Sequence, residues 1–141
     1  VGKIIRTGRT FADVQILTDR NFNVDILIER TRIRGVLQGD GSSACVLQLH
    51  KRFNLRIGDT IVTSGLVGGF PKGLPIGKVI KIKYDSQNIS QTVIVQPWVN
   101  HLSLEEVMVL KTVDSQSQQL TKILGQKWLN RPLKAQNYVA K

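Results

Sequence analysis

The chain has 141 residues, with 20 Lys and Arg against 10 Asp and Glu, and 41% of its residues are hydrophobic. This length allows one domain or two small ones around a modest core, and the mixed composition is ordinary for a globular chain. No apolar run reaches the roughly 18 residues of a transmembrane helix, and one cysteine excludes an internal disulfide.

The net charge of +10 is unevenly distributed along the chain. Residues 111–141 hold six Lys and Arg against one Asp, so this segment carries half of the excess. A basic segment attracts nucleic acid, anionic lipid or acidic protein alike, since the attraction is nonspecific and screened by salt.

Apolar and polar residues alternate from the start of the chain to about residue 110, which predicts β-strands. Residues 24–28 place three β-branched side chains on one strand face, and the run around Cys45 predicts a strand that buries the thiol. In residues 80–84, Ile80 and Tyr84 are expected on the face opposite Lys81.

Turn signals separate these runs about every ten residues, a spacing typical of small barrels or sandwiches. Asp40-Gly41 predicts a tight hairpin turn. Residues 58–77 concentrate glycines and prolines around a short β-branched run, which predicts a strand, an elaborate turn and a second strand. This loop contains no acid–base pair and no phosphate-binding motif, so it favours a structural role over a chemical one.

The same region contains Val62-Thr63-Ser64-Gly65-Leu66, a glycine pair, and the run from Phe70 to Val79. This pattern resembles the signature of the MreC family, the rod shape-determining proteins of bacteria. The resemblance spans about residues 1–110, and the other matches follow in the family's order: Leu17-Thr18-Asp19, Asn21, Val24, Arg34-Gly35-Val36-Leu37, Gly39, Val95-Gln96-Pro97 and Leu104-Glu105-Glu106-Val107.

Strand pattern and resemblance together predict an all-β fold of two small β-barrel domains, the first incomplete at its N-terminus, with a basic C-terminal tail. The expected boundaries are a partial first domain at 1–33, a second barrel at 34–96, a segment at 97–110 that could return to the first domain as a strand, and a tail at 111–141. Within the tail, apolar residues at helical spacing from Leu120 to Trp128 predict a short amphipathic helix.

The residues argue against an enzyme. Ser64 lacks the Gly-x-Ser-x-Gly context of a hydrolase nucleophile, and neither His50 nor His101 has an orienting carboxylate nearby in sequence. Two histidines and one cysteine at these spacings do not form a zinc site. We therefore predict no catalytic residues, no cofactor and no metal.

The resemblance implies a non-catalytic scaffold of the bacterial cell-wall elongation machinery that maintains cell shape. It implies binding to the elongation-specific penicillin-binding transpeptidase, its glycosyltransferase partner and MreD, together with self-association and no binding to nucleic acid. The location would be the extracytoplasmic, periplasmic face of the cytoplasmic membrane, with anchoring through a segment absent from this chain.

Four apolar residues are the candidates for partner binding: Phe70, Leu74, Tyr84 and Phe53. Aromatic and aliphatic residues that protrude from a rigid surface often supply most of an interface's binding energy. For Phe70 the alternative is a structural role, in which its ring closes one end of a barrel.

The alternative function is that of a small β-barrel nucleic-acid-binding protein. Basic grooves with stacking aromatic residues bind single strands on such barrels. Lys81, Lys83 and Tyr84, together with the run Lys51-Arg52-Phe53, are the residues that would form the groove.

Overall fold

A computed structural model of the chain describes residues 2–66, 69–84, 89–112 and 136–140. Within these ranges there are ten β-strands and one short 3-10 helix, His101–Ser103. The strands are β1 Gly2–Thr7, β2 Ala12–Ile16, β3 Asn23–Ile28, β4 Arg34–Gly39, β5 Cys45–His50, β6 Thr60–Thr63, β7 Pro75–Tyr84, β8 Ser90–Pro97, β9 Met108–Thr112 and β10 Gln136–Ala140.

Six strands form a closed barrel in the order β3-β4-β5-β8-β7-β6, and every neighbouring pair is antiparallel. Their inward side chains, mostly valine, leucine and isoleucine, form one buried core. The alternation predicted for residues 24–28 is confirmed, because Val24, Ile26 and Ile28 are all buried there. Cys45 lies fully buried in β5, as the sequence predicted.

The other four strands form a separate sheet in the order β2-β1-β10-β9. β1 pairs with β2 on one side and with β10 on the other, and β10 pairs with β9. Among the described residues no strand pairs with the outer edge of β2 or of β9. The prediction of an all-β chain is therefore confirmed.

The predicted boundary near residue 33 does not match the strand pairing. β3 was expected in the first unit, but it pairs with both β4 and β6 and supplies core side chains, so the barrel begins at Asn23. β9, from the segment that was expected to start at Pro97, lies in the same sheet as β1 and β2.

The predicted tail also needs a correction. Gln136–Ala140 is a strand that lies between β1 and β9 in the open sheet. The predicted amphipathic helix, from Leu120 to Trp128, falls outside the described residues. In the described part of the chain, no helix has the length and apolarity needed to cross a membrane.

The hairpin at Asp40-Gly41 is present, but its loop is longer than predicted. Five residues, 40–44, connect β4 to β5, and only Gly41 of the predicted pair has a positive φ, +83°. The Asp40 carboxylate accepts hydrogen bonds from the backbone N–H of Ser42 at 2.7 Å and of Ala44 at 3.3 Å. These bonds stabilise a wider loop than the two-residue turn that the sequence suggests.

A β-bulge in β7 changes the predicted alternation. Val79 faces Val95 and Lys81 faces Ile94, so Ile80 is the extra residue and is 40% exposed. Bulges bend a strand and increase its twist, which helps a small barrel to close.

Candidate partner-binding surface

The four predicted partner-binding residues lie at opposite ends of the barrel. Leu74 precedes β7 and Tyr84 ends it, so ten residues of extended chain, roughly 30 Å, separate them. Phe70 lies with Leu74, and Phe53 follows β5 at the end where Tyr84 lies. The structure therefore forms two pairs, not one cluster, and each pair is a separate candidate contact.

The loop that carries Phe70 and Leu74 is held by the buried side chain of Thr63 at the end of β6. The Thr63 hydroxyl donates a hydrogen bond to the carbonyl oxygen of Pro71 and accepts one from the N–H of Leu74 at 2.9 Å. Backbone bonds from Thr63 to Leu74 and from Gly73 to Thr63, both 2.9 Å, close the loop. A loop fixed in this way presents its side chains with little entropy left to lose on binding.

The Phe70 ring is half-buried, packs against the barrel core, and lies 5.9 Å from the ring of Phe22, centroid to centroid. Phe70 and Leu74 line a cavity of about 380 Å³ between the barrel mouth and the open sheet, which also includes Ile16 and Trp98 in its walls. Among the residues that the structure describes, no Asp, Glu, Lys or Arg lines this cavity.

At the other end, Phe53 is held by a buried glutamine. Gln91, which pairs with Tyr84 in the β7–β8 ladder, donates its amide to the carbonyl oxygens of Phe53 at 2.8 Å and His50 at 3.2 Å. The Phe53 ring packs against the core on one side, and the Arg52 guanidinium lies 4.9 Å from its centroid. Tyr84 is 65% exposed, and of the four it is the residue most accessible to a partner.

An ion pair fixes the loop before β6 to the end of β3. Arg30 donates to the buried Asp59 carboxylate through Nε at 2.6 Å and Nη2 at 2.8 Å, and the N–H of Arg56 donates to the same carboxylate at 2.9 Å. These donors hold the pKa of Asp59 below its usual range, with the Arg30 hydrogen bond as the largest cause. Charge-assisted, bidentate hydrogen bonds of this kind are stronger than hydrogen bonds between neutral groups.

The remaining titratable candidates are dispersed. His50 is exposed at the end of β5, where its Nδ1 accepts from the N–H of Arg52 at 3.1 Å, while His101 lies beyond β8 at the cavity. Burial raises the pKa of the Cys45 thiol to about 12, which keeps it protonated and unreactive. In the ranges that the structure describes, no three His, Cys, Asp or Glu side chains are arranged to hold a metal ion.

Sequence reasoning missed the two polar residues that position the candidates, Thr63 and Gln91. Both lie in strands at positions where an apolar residue would continue the pattern, and both are buried. A polar residue at an inward position of an alternating strand is the available signal, because a buried polar group needs a hydrogen-bond partner.

The chain matches the family described as "Rod shape-determining protein MreC, barrel core" over residues 1–111. Among curated relatives, the cell shape-determining protein MreC of Listeria monocytogenes is 32% identical over 117 residues, which cover 79% of this chain and 40% of that protein. MreC of Escherichia coli is 28% identical over 116 residues, 81% of this chain and 32% of that protein. The chain thus spans well under half the length of these relatives.

Solved structures of the same family share the fold. A crystal structure of MreC from Pseudomonas aeruginosa aligns with a TM-score of 0.66 and 26% identity, covering 68% of this chain and 63% of that one. A complex between penicillin-binding protein PBP2 and MreC from Helicobacter pylori aligns with a TM-score of 0.58 and 19% identity, covering 70% of this chain and 62% of the matched chain.

Proposed function

The chain belongs to the MreC family of bacterial cell shape-determining proteins, and on this premise we propose that it is a non-catalytic scaffold of the cell-wall elongation machinery. It would bind and position peptidoglycan synthases through its surface and leave the chemistry to them. A rigid barrel suits this role, because preorganised surfaces lose little entropy on binding.

The observation that carries the proposal is the complex of a protein of this fold. The Helicobacter pylori MreC is solved together with a penicillin-binding protein. We propose a partner of the same class for this chain, the elongation-specific transpeptidase. Its glycosyltransferase partner, MreD and a second copy of this chain complete the proposed assembly, on the periplasmic face of the cytoplasmic membrane.

Within this proposal the open sheet and the barrel act as two domains in series, and the two ends of the barrel supply the contacts. Phe70 and Leu74 form the first candidate contact, through the apolar cavity whose wall they share. Phe53 and Tyr84 form the second, since one half-buried and one exposed aromatic ring lie at the same end of the barrel. Because the ends are far apart, one partner domain need not cover both.

Two double variants test which end binds the transpeptidase. Phe70→Asp with Leu74→Asp adds charge to the first contact, and Phe53→Asp with Tyr84→Asp adds it to the second. Co-purification of full-length protein with the transpeptidase of the same organism is expected to fall at least tenfold in one double variant, since loss of a central anchor costs about 2 kcal/mol or more.

The other double variant serves as the matched control, because it carries the same two added charges. Thermal unfolding of each variant must show a folded barrel before its binding is interpreted. Full binding by both folded variants would refute the residue assignment. Absence of any association by the unaltered full-length protein would refute the scaffold proposal itself.

A further inference from the structure

The outer wall of the barrel formed by β5, β8 and β7 has an unusual charge composition. These three adjacent strands contain three lysines and no Asp, Glu or Arg. All three lysines, Lys78, Lys81 and Lys83, are exposed on β7. The wall is therefore uniformly cationic, whereas most protein surfaces intersperse both signs of charge.

Strand register shows what lies between the lysines. Lys81 faces Ile94 on β8, Lys83 faces Thr92, and Lys78 faces Gln96. The next strand continues these rows with uncharged residues, since Ile94 pairs with Val46 and Thr92 with Gln48. Among the described residues of β5, β8 and β7, the lysines thus border aliphatic and neutral polar side chains, with no Asp or Glu in these three strands.

Two exposed apolar residues adjoin the lysines. Ile80, placed outside the alternation by the bulge in β7, is 40% exposed, and Trp98, just beyond β8, is 52% exposed. The Lys78 ammonium lies 5.6 Å from the centroid of the Trp98 ring. The Lys78 ammonium, the Trp98 indole and the Ile80 side chain therefore lie along one edge of the wall.

We propose that this wall, defined by Lys78, Ile80, Lys81, Lys83 and Trp98 and called here the lysine wall, binds the surface of an anionic lipid bilayer. Lysine stems can lie along apolar surface while the ammonium groups reach phosphate groups. Cations next to an anionic leaflet gain attraction, and tryptophan concentrates at the membrane–water interface.

The choice of lysine and the place of the aromatic rings favour lipid over nucleic acid. Lysine is a flexible point charge suited to a diffuse layer of headgroups, whereas arginine provides the planar fork for defined phosphate contacts. Single strands need open ring faces for stacking. On β7 the aromatic residue is Tyr84, whose partner across the ladder is Gln91, so its exposed ring belongs to the opposite strand face from Lys81 and Lys83.

Vesicle co-sedimentation of the whole 141-residue chain tests the proposal. The chain is expected to bind vesicles of equal parts phosphatidylglycerol and phosphatidylcholine, and not pure phosphatidylcholine. The triple variant Lys78→Gln, Lys81→Gln, Lys83→Gln should lower the partition coefficient roughly 100-fold, since each cation near an anionic leaflet contributes roughly fivefold.

The matched control is Arg9→Gln, Arg56→Gln, Lys72→Gln, which removes three exposed cations from loops outside the lysine wall. It has the same net charge as the triple lysine variant, so the basic segment 111–141 contributes equally to both. The control should lower binding only a few-fold, through the long-range field. Equal loss in the two triple variants would overturn the proposal.

A second variant, Ile80→Ser, distinguishes a lipid surface from a nucleic acid. Its side chain is partly exposed, so the barrel should tolerate the change. Binding to anionic vesicles should fall severalfold, because the aliphatic group no longer enters the interface, while retention of a single-stranded oligonucleotide should not change. If the lysine variant loses the oligonucleotide and keeps the vesicles, the wall binds nucleic acid and the lipid proposal is wrong.

Discussion

The barrel and the open sheet are built from similar strands, yet they bury their apolar residues differently. Every barrel strand has a hydrogen-bonded neighbour on both sides, and inward residues such as Ile26 and Leu47 are fully buried. The sheet leaves large apolar side chains exposed, among them Ile5, Val14 and Met108. Closing the barrel removes its exposed strand edges and encloses a hydrophobic core. An open sheet of four strands keeps two edges, and it buries apolar side chains only where other parts of the protein cover its faces.

Stability should therefore be concentrated in the barrel. The sheet is also assembled from distant parts of the chain, since β1 lies next to β10 across more than 130 residues of sequence. Pairing strands so far apart in sequence costs loop-closure entropy, and the open sheet buries few side chains to offset that cost. Matched substitutions in the two regions test this interpretation.

The largest difference in stability between the two regions is expected when the same Val→Ala substitution is made once in the barrel and once in the sheet. Val95→Ala in the barrel core should lower the free energy of unfolding by about 3 kcal/mol, because it removes fully buried methyl groups and leaves a cavity. Val14→Ala in β2 should cost about 0.5 kcal/mol, because that side chain is partly exposed. Urea unfolding measures both, and equal losses would show that the sheet buries Val14 as deeply as the barrel buries Val95.

An intermediate difference is expected between the loss of an ion pair in the barrel and the loss of one in the sheet. Asp59→Asn is expected to cost about 2 kcal/mol at pH 7, since it weakens charge-assisted bonds to a buried carboxylate. Asp13→Asn, which removes the exposed pair with Arg6 in the sheet, should cost less than about 1 kcal/mol.

The contribution of Asp59 has a defined pH dependence. Its pKa in the folded protein lies below the ordinary value, so its stabilisation is complete above about pH 4, the unfolded-state pKa. It is lost as the pH falls through the lower folded-state pKa. Urea midpoints between pH 7 and pH 2 should converge for the unaltered chain and Asp59→Asn, and a constant gap would contradict the assigned pair.

The smallest effect concerns two arginine–phenylalanine pairs. In the sheet, Arg6 lies 5.7 Å from the centroid of the exposed Phe11 ring, and Phe11→Ala should cost about 0.5–1 kcal/mol. The corresponding barrel variant, Phe53→Ala, should cost more, because that ring also packs on the core. Thermal unfolding compares the stability of the two variants directly. A larger loss of stability for Phe11→Ala would show that the Phe11 ring is buried in the folded chain.

Parts of the fold followed from local patterns, and other parts did not. Alternation identified the buried face of β3, and the lone Cys45 in an apolar run indicated a buried thiol. The bulge at Ile80 was missed because an apolar residue there still fits a two-residue period. β10 was missed because a run of five residues is too short for its alternation to stand out from a basic tail.

The candidate site was less predictable than the fold. Phe70 and Tyr84 were chosen together as apolar residues expected to protrude from the barrel surface, and the structure places them at opposite ends of the barrel. Thr63 and Gln91, which hold the two ends in shape, gave only the weak signal of a polar residue at an inward position. Their importance depends on which carbonyl groups lie within hydrogen-bonding distance, and that depends on the whole fold.

Local spacing and composition were enough to indicate the strand-rich character, the family resemblance and the buried position of Cys45, because each of these depends on neighbouring residues in the chain. The pairing of strands distant in sequence is what places β3 in the barrel, β10 between β1 and β9, and strands that contain no Asp or Glu beside the lysines of β7. These features arise from register between strands far apart in the chain, and register is set by the side chains that each strand meets on folding.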